Sequence, residues 1–280
     1  MHEYSYLSDE VICAFAEAAG EDAVALTEPM AQHTTFQIGG PADVVISPHT
    51  PQAVERVLDI CAIAGVPVVV VGNGSDILVG DRGFRGAVVL LRDNYAGIEV
   101  AGTRVHAQAG ALLRDVALAA ADAGLTGMEA LWGIPASVGG ACFMNAGAYD
   151  AATSDVLESV EVYVPGPRVA PDGTHEKGTV KRLRWTSSRW VTARAALPQR
   201  VSSCFPPRSH LAPGNEAQIR ASMDDYQRRR EEKQPLELPS AGSTFKRPQG
   251  YLPASSSWMR AWQVRAWAVH RYPRSIAGSW

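Results

Sequence analysis

Two glycine-rich stretches and a serine motif hold the residues whose types and spacing could do chemistry. The first is Gly72-Asn73-Gly74-Ser75-Asp76, directly after the apolar run Val66 to Val71. Glycine tolerates dihedrals closed to other residues and has no side chain, so such a loop leaves backbone N–H groups unpaired and admits close approach. It could cradle a pyrophosphate, and by itself it reads equally as a plain tight turn. The second stretch, GIPASVGGACFMNAGAY from Gly133 to Tyr149, suits either close packing of elements or a backbone wrapped on a ligand. Two such loops in one region favour the ligand. Further on, GSTFK carries Ser243 and Lys246, with Lys233 upstream at the end of the run RRREEK. On pattern alone that run is a solvated helix face and Ser243 a solvated turn residue.

These segments need elements to hold them. Ser8 ahead of Asp9 and Glu10, with Val11, Phe15 and Ala18 at helical spacing, predicts a helical region over 8–28 with a stop near Gly20. Strand character runs from Phe36 to Ser47 around Gly39-Gly40-Pro41. Thr50 predicts the cap of a helix bearing Val54, Val57, Leu58 and Cys61 and closing at Gly65. Val66 to Val71 then reads as a strand apolar on both faces, hence buried, in mixed α and β architecture. Gly86 to Leu91 is a further strand, Val100 to Ala109 two short ones around Gly102, Leu112 to Ala123 a helix stopped by Gly124, and Val156 to Val164 a strand.

Composition excludes several classes. The chain has 280 residues, 46% hydrophobic and 20% charged, with 26 Lys+Arg against 29 Asp+Glu. That length suggests two or three domains with real cores. A formal charge of -3 argues against a nucleic-acid partner held by counterion release. The longest apolar run is too short to span a bilayer, and MHEYSYLSDEVICAF has no basic segment leading a secretory core, so a cytoplasmic protein without a membrane partner is expected. Cys13, Cys61, Cys142 and Cys204 lack metal-finger spacing and read as buried free thiols.

Four segments in order, HTTFQIGGPAD from His33, GNGSDILV, GIPASVGGACFMNAGAY and KQPLELPSAGSTFK from Lys233, resemble the UDP-N-acetylenolpyruvoylglucosamine reductase family, the UDP-N-acetylmuramate dehydrogenases. The resemblance implies an α+β fold: an FAD-binding domain of the vanillyl-alcohol-oxidase (PCMH) type in two lobes, followed by a truncated α+β substrate-binding domain. It divides the chain into a helical segment at 1–30, the flavin domain at 31–205, with lobes at 31–92 and 93–205, and the substrate domain at 210–280. It further implies FAD as cofactor, NADPH as reductant and a small UDP-sugar as substrate, within peptidoglycan precursor synthesis. Flavin contacts map to Thr35, Phe36, Ile38, Gly72, Asn73, Gly74, Ser75, Asp76, Ile77, Leu78, Gly133, Ile134, Pro135, Ser137, Val138, Gly139, Asn145, Ala146, Gly147, Ala148 and Tyr149. Ser243 maps to the proton donor, and Lys233 and Lys246 to cations for the substrate phosphates. Asp76, Ala136 and Arg247 stand where the family usually has Asn, Gly and Asn. A carboxylate beside a pyrophosphate weakens flavin affinity.

The resemblance breaks at two places. The family's Gly-Tyr-Arg segment, whose arginine stabilises the intermediate, and its C-terminal glutamate are absent from the sequence. The stretch 185–209 lacks amphipathic period, and 252–280 holds four of the seven tryptophans together with several arginines. Reading the last base of each codon with the first two of the next makes Trp185-Thr186 encode aspartate and Trp190-Val191 glycine. Permitted codons then give LDELALGYRTSRAAAEGQLVLSAAF, which restores the missing segment. The same shift after Leu252 forces aspartate at Trp258-Met259, alanine at Trp262-Gln263 and glycine at Trp267-Ala268. Both stretches are therefore expected to be frame-shift products, with partial folding and impaired turnover as the consequence. The alternative is a flavin-binding module without turnover.

Overall fold

The computed structural model describes residues 7–149, 151–166, 177–184 and 211–242. The order begins with α1 (Asp9–Ala19), β1 (Val24–Pro29), β2 (Pro41–Ile46), α2 (Pro51–Ala64), β3 (Val68–Val71) and β4 (Phe84–Leu90). These build the first lobe. The side chain of Ser8 accepts from the Val11 amide to cap α1, and Thr50 accepts from the Ala53 amide at 3.1 Å to cap α2. Pro51 opens α2 with its preset φ, and Gly65 ends it in the left-handed region at φ 68°. The helical region expected to residue 28 stops at Gly20, because Val24–Pro29 pairs antiparallel with Pro41–Ile46. Local pattern could not reveal that partner.

The sheet runs β1-β2-β4-β3, with β2, β4 and β3 parallel. Alternation along the strands feeds two faces. Val44, Ile46, Ala87 and Val89 meet Phe15 and the α2 residues Val54, Val57, Leu58 and Cys61 on one side, while Val45, Val88 and Met30 pack on the other. The strand expected to be buried, Val68–Val71, is an edge strand with Val69 and Val70 half-buried. Its apolar character serves a cleft wall instead of a central position.

The second lobe contains β5 (Ile98–Ala101), β6 (Arg104–Ala107), α3 (Leu113–Asp122), β7 (Leu125–Thr126), α4 (Val138–Met144), β8 (Gly147–Ala148), β9 (Ala151–Ala152), α5 (Thr153–Val156), β10 (Ser159–Val164) and β11 (Thr179–Arg184). β12 (Ala212–Pro213) pairs with β7, and α6 (Glu216–Glu231) follows, capped by the Asn215 side chain at the Gln218 amide. Ile219 and Met223 of α6 are buried in the same core as Val116, Ala120, Leu131 and Cys142.

One strand joins the lobes. Val160 and Val162 of β10 belong to the second core, whereas Tyr163 is buried in the first, its hydroxyl donating to Asp59 of α2 at 2.7 Å. Burial and that neighbouring carboxylate push the phenol well above its ordinary range. Cys61 and Cys142 are buried and in no disulfide, as expected, with burial raising the Cys142 thiol. Cys13, expected to be buried, is exposed on α1, and Cys204 lies outside the described residues. Among the described residues no helix is long and apolar enough to cross a membrane.

Candidate active site

A cleft of about 1970 Å³ separates the lobes. That is roughly twice the upper end of ordinary small-molecule pockets, room enough for two ligands side by side. The edge strand lines it through Val69 and Val70. One wall is the loop Gly72 to Ile77, the other Trp132 to Tyr149, and α6 with the chain through Gly242 crosses the mouth.

The walls are tied together by direct contacts. Asn73 Nδ2 donates to the Pro135 carbonyl at 2.7 Å, linking the two glycine-rich loops. A methyl group on Gly72 would lie 1.9 Å from Ser137 Oγ, so only glycine permits this approach. Gly74 has φ 66°, and a Cβ there would meet the His33 carbonyl at 2.1 Å. Thr35 donates its amide to the Gly74 carbonyl at 3.1 Å and its hydroxyl to the Ser240 carbonyl at 2.5 Å. The Ser240 amide returns a bond to the Thr35 carbonyl at 3.1 Å. Tyr149, at φ 57°, donates its hydroxyl to the Tyr226 carbonyl at 2.7 Å, with the two rings 4.6 Å apart.

The donor set fits a dinucleotide. Among the described residues the amides of Asn73, Gly74, Ser75 and Asp76 engage no acceptor. Across the cleft, Trp132 Nε1 is a buried donor without a partner among the described residues. Asn73 and Ser75 are half-buried and Asp76 exposed, so their amides face the open cleft, whereas the indole is a buried donor of the kind that normally has a partner. Neutral backbone donors beside small residues are what a pyrophosphate and a flat ring require. Asp76 is the discordant group, and burial raises its carboxyl above the ordinary value.

Most of the sequence-predicted contacts converge here. Thr35, Phe36, Ile38, Gly72, Asn73, Gly74, Ser75, Asp76 and Ile77 line one side. Gly133, Ile134, Pro135, Ser137, Gly139, Asn145, Ala146, Gly147, Ala148 and Tyr149 line the other, and Lys233 stands at the mouth. Two do not. Leu78 is 70% exposed beyond the lining, and Val138 is 2% exposed in the second core. Val138 opens α4, a helix unforeseen inside the small-residue stretch, and the helical turn directs it inward. Ser137 and Asn145 spend side chains on structure: Ser137 caps α4 and Asn145 accepts from the Ser154 amide. Ser243 and Lys246 lie outside the described residues.

Sequence reasoning read the end of α6 as a solvated helix face and missed its inward stripe. Its RRREEK run does not lie on one solvated face: Arg228 and Arg229 are exposed, but Arg230 is half-buried in the cleft with Tyr226 and Gln227. The spacing Ile219, Met223, Tyr226, Arg230 could have shown one continuous inward stripe.

Comparison with known proteins agrees with this geometry. A model described as an FAD binding domain matches residues 42–170. A UDP-N-acetylenolpyruvoylglucosamine reductase from Clostridium beijerinckii is 40% identical over 240 residues, 85% of this chain and 74% of that relative. The chain belongs to the UDP-N-acetylenolpyruvoylglucosamine reductase family. Another UDP-N-acetylenolpyruvoylglucosamine reductase, from Syntrophomonas wolfei, is 37% identical over 82% of the chain and 73% of that relative. Among solved structures, the reductase from Thermus caldophilus superposes with a TM-score of 0.60 at 30% identity, covering 87% of this chain and 79% of that one. An alkyldihydroxyacetonephosphate synthase, at TM-score 0.51 and 12% identity over 75% of this chain and 43% of that one, shares the fold alone. The reductase fold thus carries an FAD-binding domain, and the α+β class expected from the sequence stands.

Proposed function

We propose that the cleft serves NADPH-dependent reduction of UDP-N-acetylglucosamine enolpyruvate to UDP-N-acetylmuramate, in the cytoplasm, and that the chain as written is impaired in it. The observation that supports this reading most is the Thr35–Ser240 clasp. It holds Ser240, three residues ahead of Ser243 in the sequence, against Thr35, which itself bonds Gly74 of the loop Gly72 to Ile77.

When bound, the flavin supplies two-electron chemistry, passing a hydride from the nicotinamide to one carbon of the enolpyruvyl double bond. The chain does the remainder. The amides of Asn73, Gly74, Ser75 and Asp76 hold a pyrophosphate, and the Asn73–Pro135 bond fixes the opposite wall to it. Lys233 and Lys246 neutralise the sugar nucleotide's phosphates. Ser243 gives its proton to the second carbon, where negative charge develops, and recovers it from solvent. Stabilising that charge is the task of the arginine in the family's Gly-Tyr-Arg segment, and 185–209 as written contains no such segment.

Losing one positioned donor commonly lowers a rate by about a hundred- to a thousand-fold. That favours a second reading for the written chain, flavin binding without turnover. Oxidation of NADPH dependent on the UDP-enolpyruvyl sugar, measured for the written chain beside one with both reading frames restored, tests the proposal. Turnover only after restoration supports it. Equal turnover by the two chains rejects the impairment, and none in either rejects the assigned reaction.

A further inference from the structure

We infer that Arg230 is an anion receptor of the cleft, built to take a pyrophosphate. The inference rests on the flavin and UDP-sugar reading above, since both ligands carry that group.

The contrast among the arginines of α6 carries it. Arg220 pairs with Glu216 and Asp122, Arg228 with Asp225 and Glu232, and Arg229 with Asp225. Arg229 and Arg230 both line the cleft, but Arg229 is exposed and paired, whereas Arg230 is half-buried and among the described residues has no carboxylate partner. Its neighbours at the wall are Tyr149, Tyr226, Gln227 and Gly133. A Cβ on Gly133 would lie 3.3 Å from both Cδ and Nη1 of Arg230, so the glycine makes room for the guanidinium beside the second glycine-rich loop. Burial pulls its pKa down from the ordinary value, a cost that a bound anion would offset. A planar guanidinium presents two parallel N–H donors that match phosphate oxygens. Lys233, past the helix end, adds a further positive charge to the lining.

A purely structural role would reside in the aliphatic stem against Gly133. Arg230→Met retains that stem and removes the charge, while Arg230→Lys retains charge without the planar fork. Full-length wild type and both variants are titrated with FAD, followed by flavin fluorescence, and with UDP, followed by calorimetry, alongside thermal melting. Arg230→Met is expected to bind one of the two ligands about ten- to a hundred-fold more weakly, as charge-assisted hydrogen bonds predict. Its melting temperature should be equal or higher, because an uncompensated half-buried charge is gone, and Arg230→Lys should recover part of the affinity. Weakened FAD with unchanged UDP assigns the flavin pyrophosphate, and the reverse assigns the sugar nucleotide. Wild-type affinity of Arg230→Met for both ligands overturns the inference. A wild type that binds neither overturns the reading beneath it.

Discussion

Thr35 and Ser240 lie 205 residues apart in the chain and are joined by two hydrogen bonds, the Thr35 hydroxyl to the Ser240 carbonyl and the Ser240 amide to the Thr35 carbonyl. Thr35 also reaches Gly74, so one residue binds the loop Gly72 to Ile77 and the segment at Ser240 together. Thr35→Val keeps the shape and removes the hydroxyl. It should cost about 0.5–1.5 kcal/mol locally. Hydrogen exchange at the Ser240 and Gly242 amides is expected to quicken while the buried amides around Ile219 keep their protection. Equal exchange at Ser240 in both proteins would show the hydroxyl bond to be dispensable.

Asp76 sits beside that clasp: its Oδ1 lies 3.1 Å from where a Cβ on Gly242 would be. Removing its charge by Asp76→Asn should tighten FAD binding severalfold at neutral pH. The carboxyl's folded value is raised by burial, so its protonated form favours the fold. That contribution is fully present below the ordinary carboxylate pKa and is lost as pH rises through the raised one. Wild-type FAD affinity should therefore approach that of Asp76→Asn as pH falls through this acidic window. A constant ratio between the two proteins across pH would mean that the carboxylate does not face the ligand.

Gly72→Ala tests the contact between the loops. The added methyl would meet Ser137 Oγ at 1.9 Å and must push the α4 cap away from the loop Gly72 to Ile77. Overpacking of this kind costs about 1–3 kcal/mol. We expect FAD affinity to fall at least tenfold, read by flavin fluorescence, with a lowered melting temperature. Unaltered affinity would show that the walls can separate freely.

Ser243→Ala, made in the frame-restored enzyme, separates the two half-reactions. Flavin reduction by NADPH should stay within about twofold, whereas reoxidation by the enolpyruvyl sugar should slow by about a hundredfold or more, the usual scale for a lost general acid. Stopped-flow absorbance at the flavin band reads both. Equal slowing of the two steps would assign Ser243 a structural role.

Local chemistry made much of this protein readable in its sequence. The caps at Ser8 and Thr50, the stops at Gly20, Gly65 and Gly124, and the turn at Gly102 each act within a few residues, so the helices and hairpin they bound were legible. The first glycine-rich loop was legible for the same reason, because close approach at Gly72 and a positive φ at Gly74 impose glycine, whereas in the second loop the positive φ values fall on Asn145 and Tyr149. What lay hidden depended on partners distant in the chain. Val24–Pro29 is a strand because Pro41–Ile46 pairs with it, and Val68–Val71 is a cleft wall because nothing among the described residues pairs beyond it. Val138 turns inward because α4 forms within a stretch whose small residues carry no helical pattern of their own. Arg230 differs from Arg228 and Arg229 only by the face of α6 on which it falls, and that face acquires meaning when Ile219 and Met223 dock in the second core. Sequence by itself determined which residues could hold a pyrophosphate or give a proton. Tertiary packing decided which of them share one cleft, because burial and hydrogen bonding across some two hundred residues, as between Thr35 and Ser240, are set by the whole fold and by no local spacing.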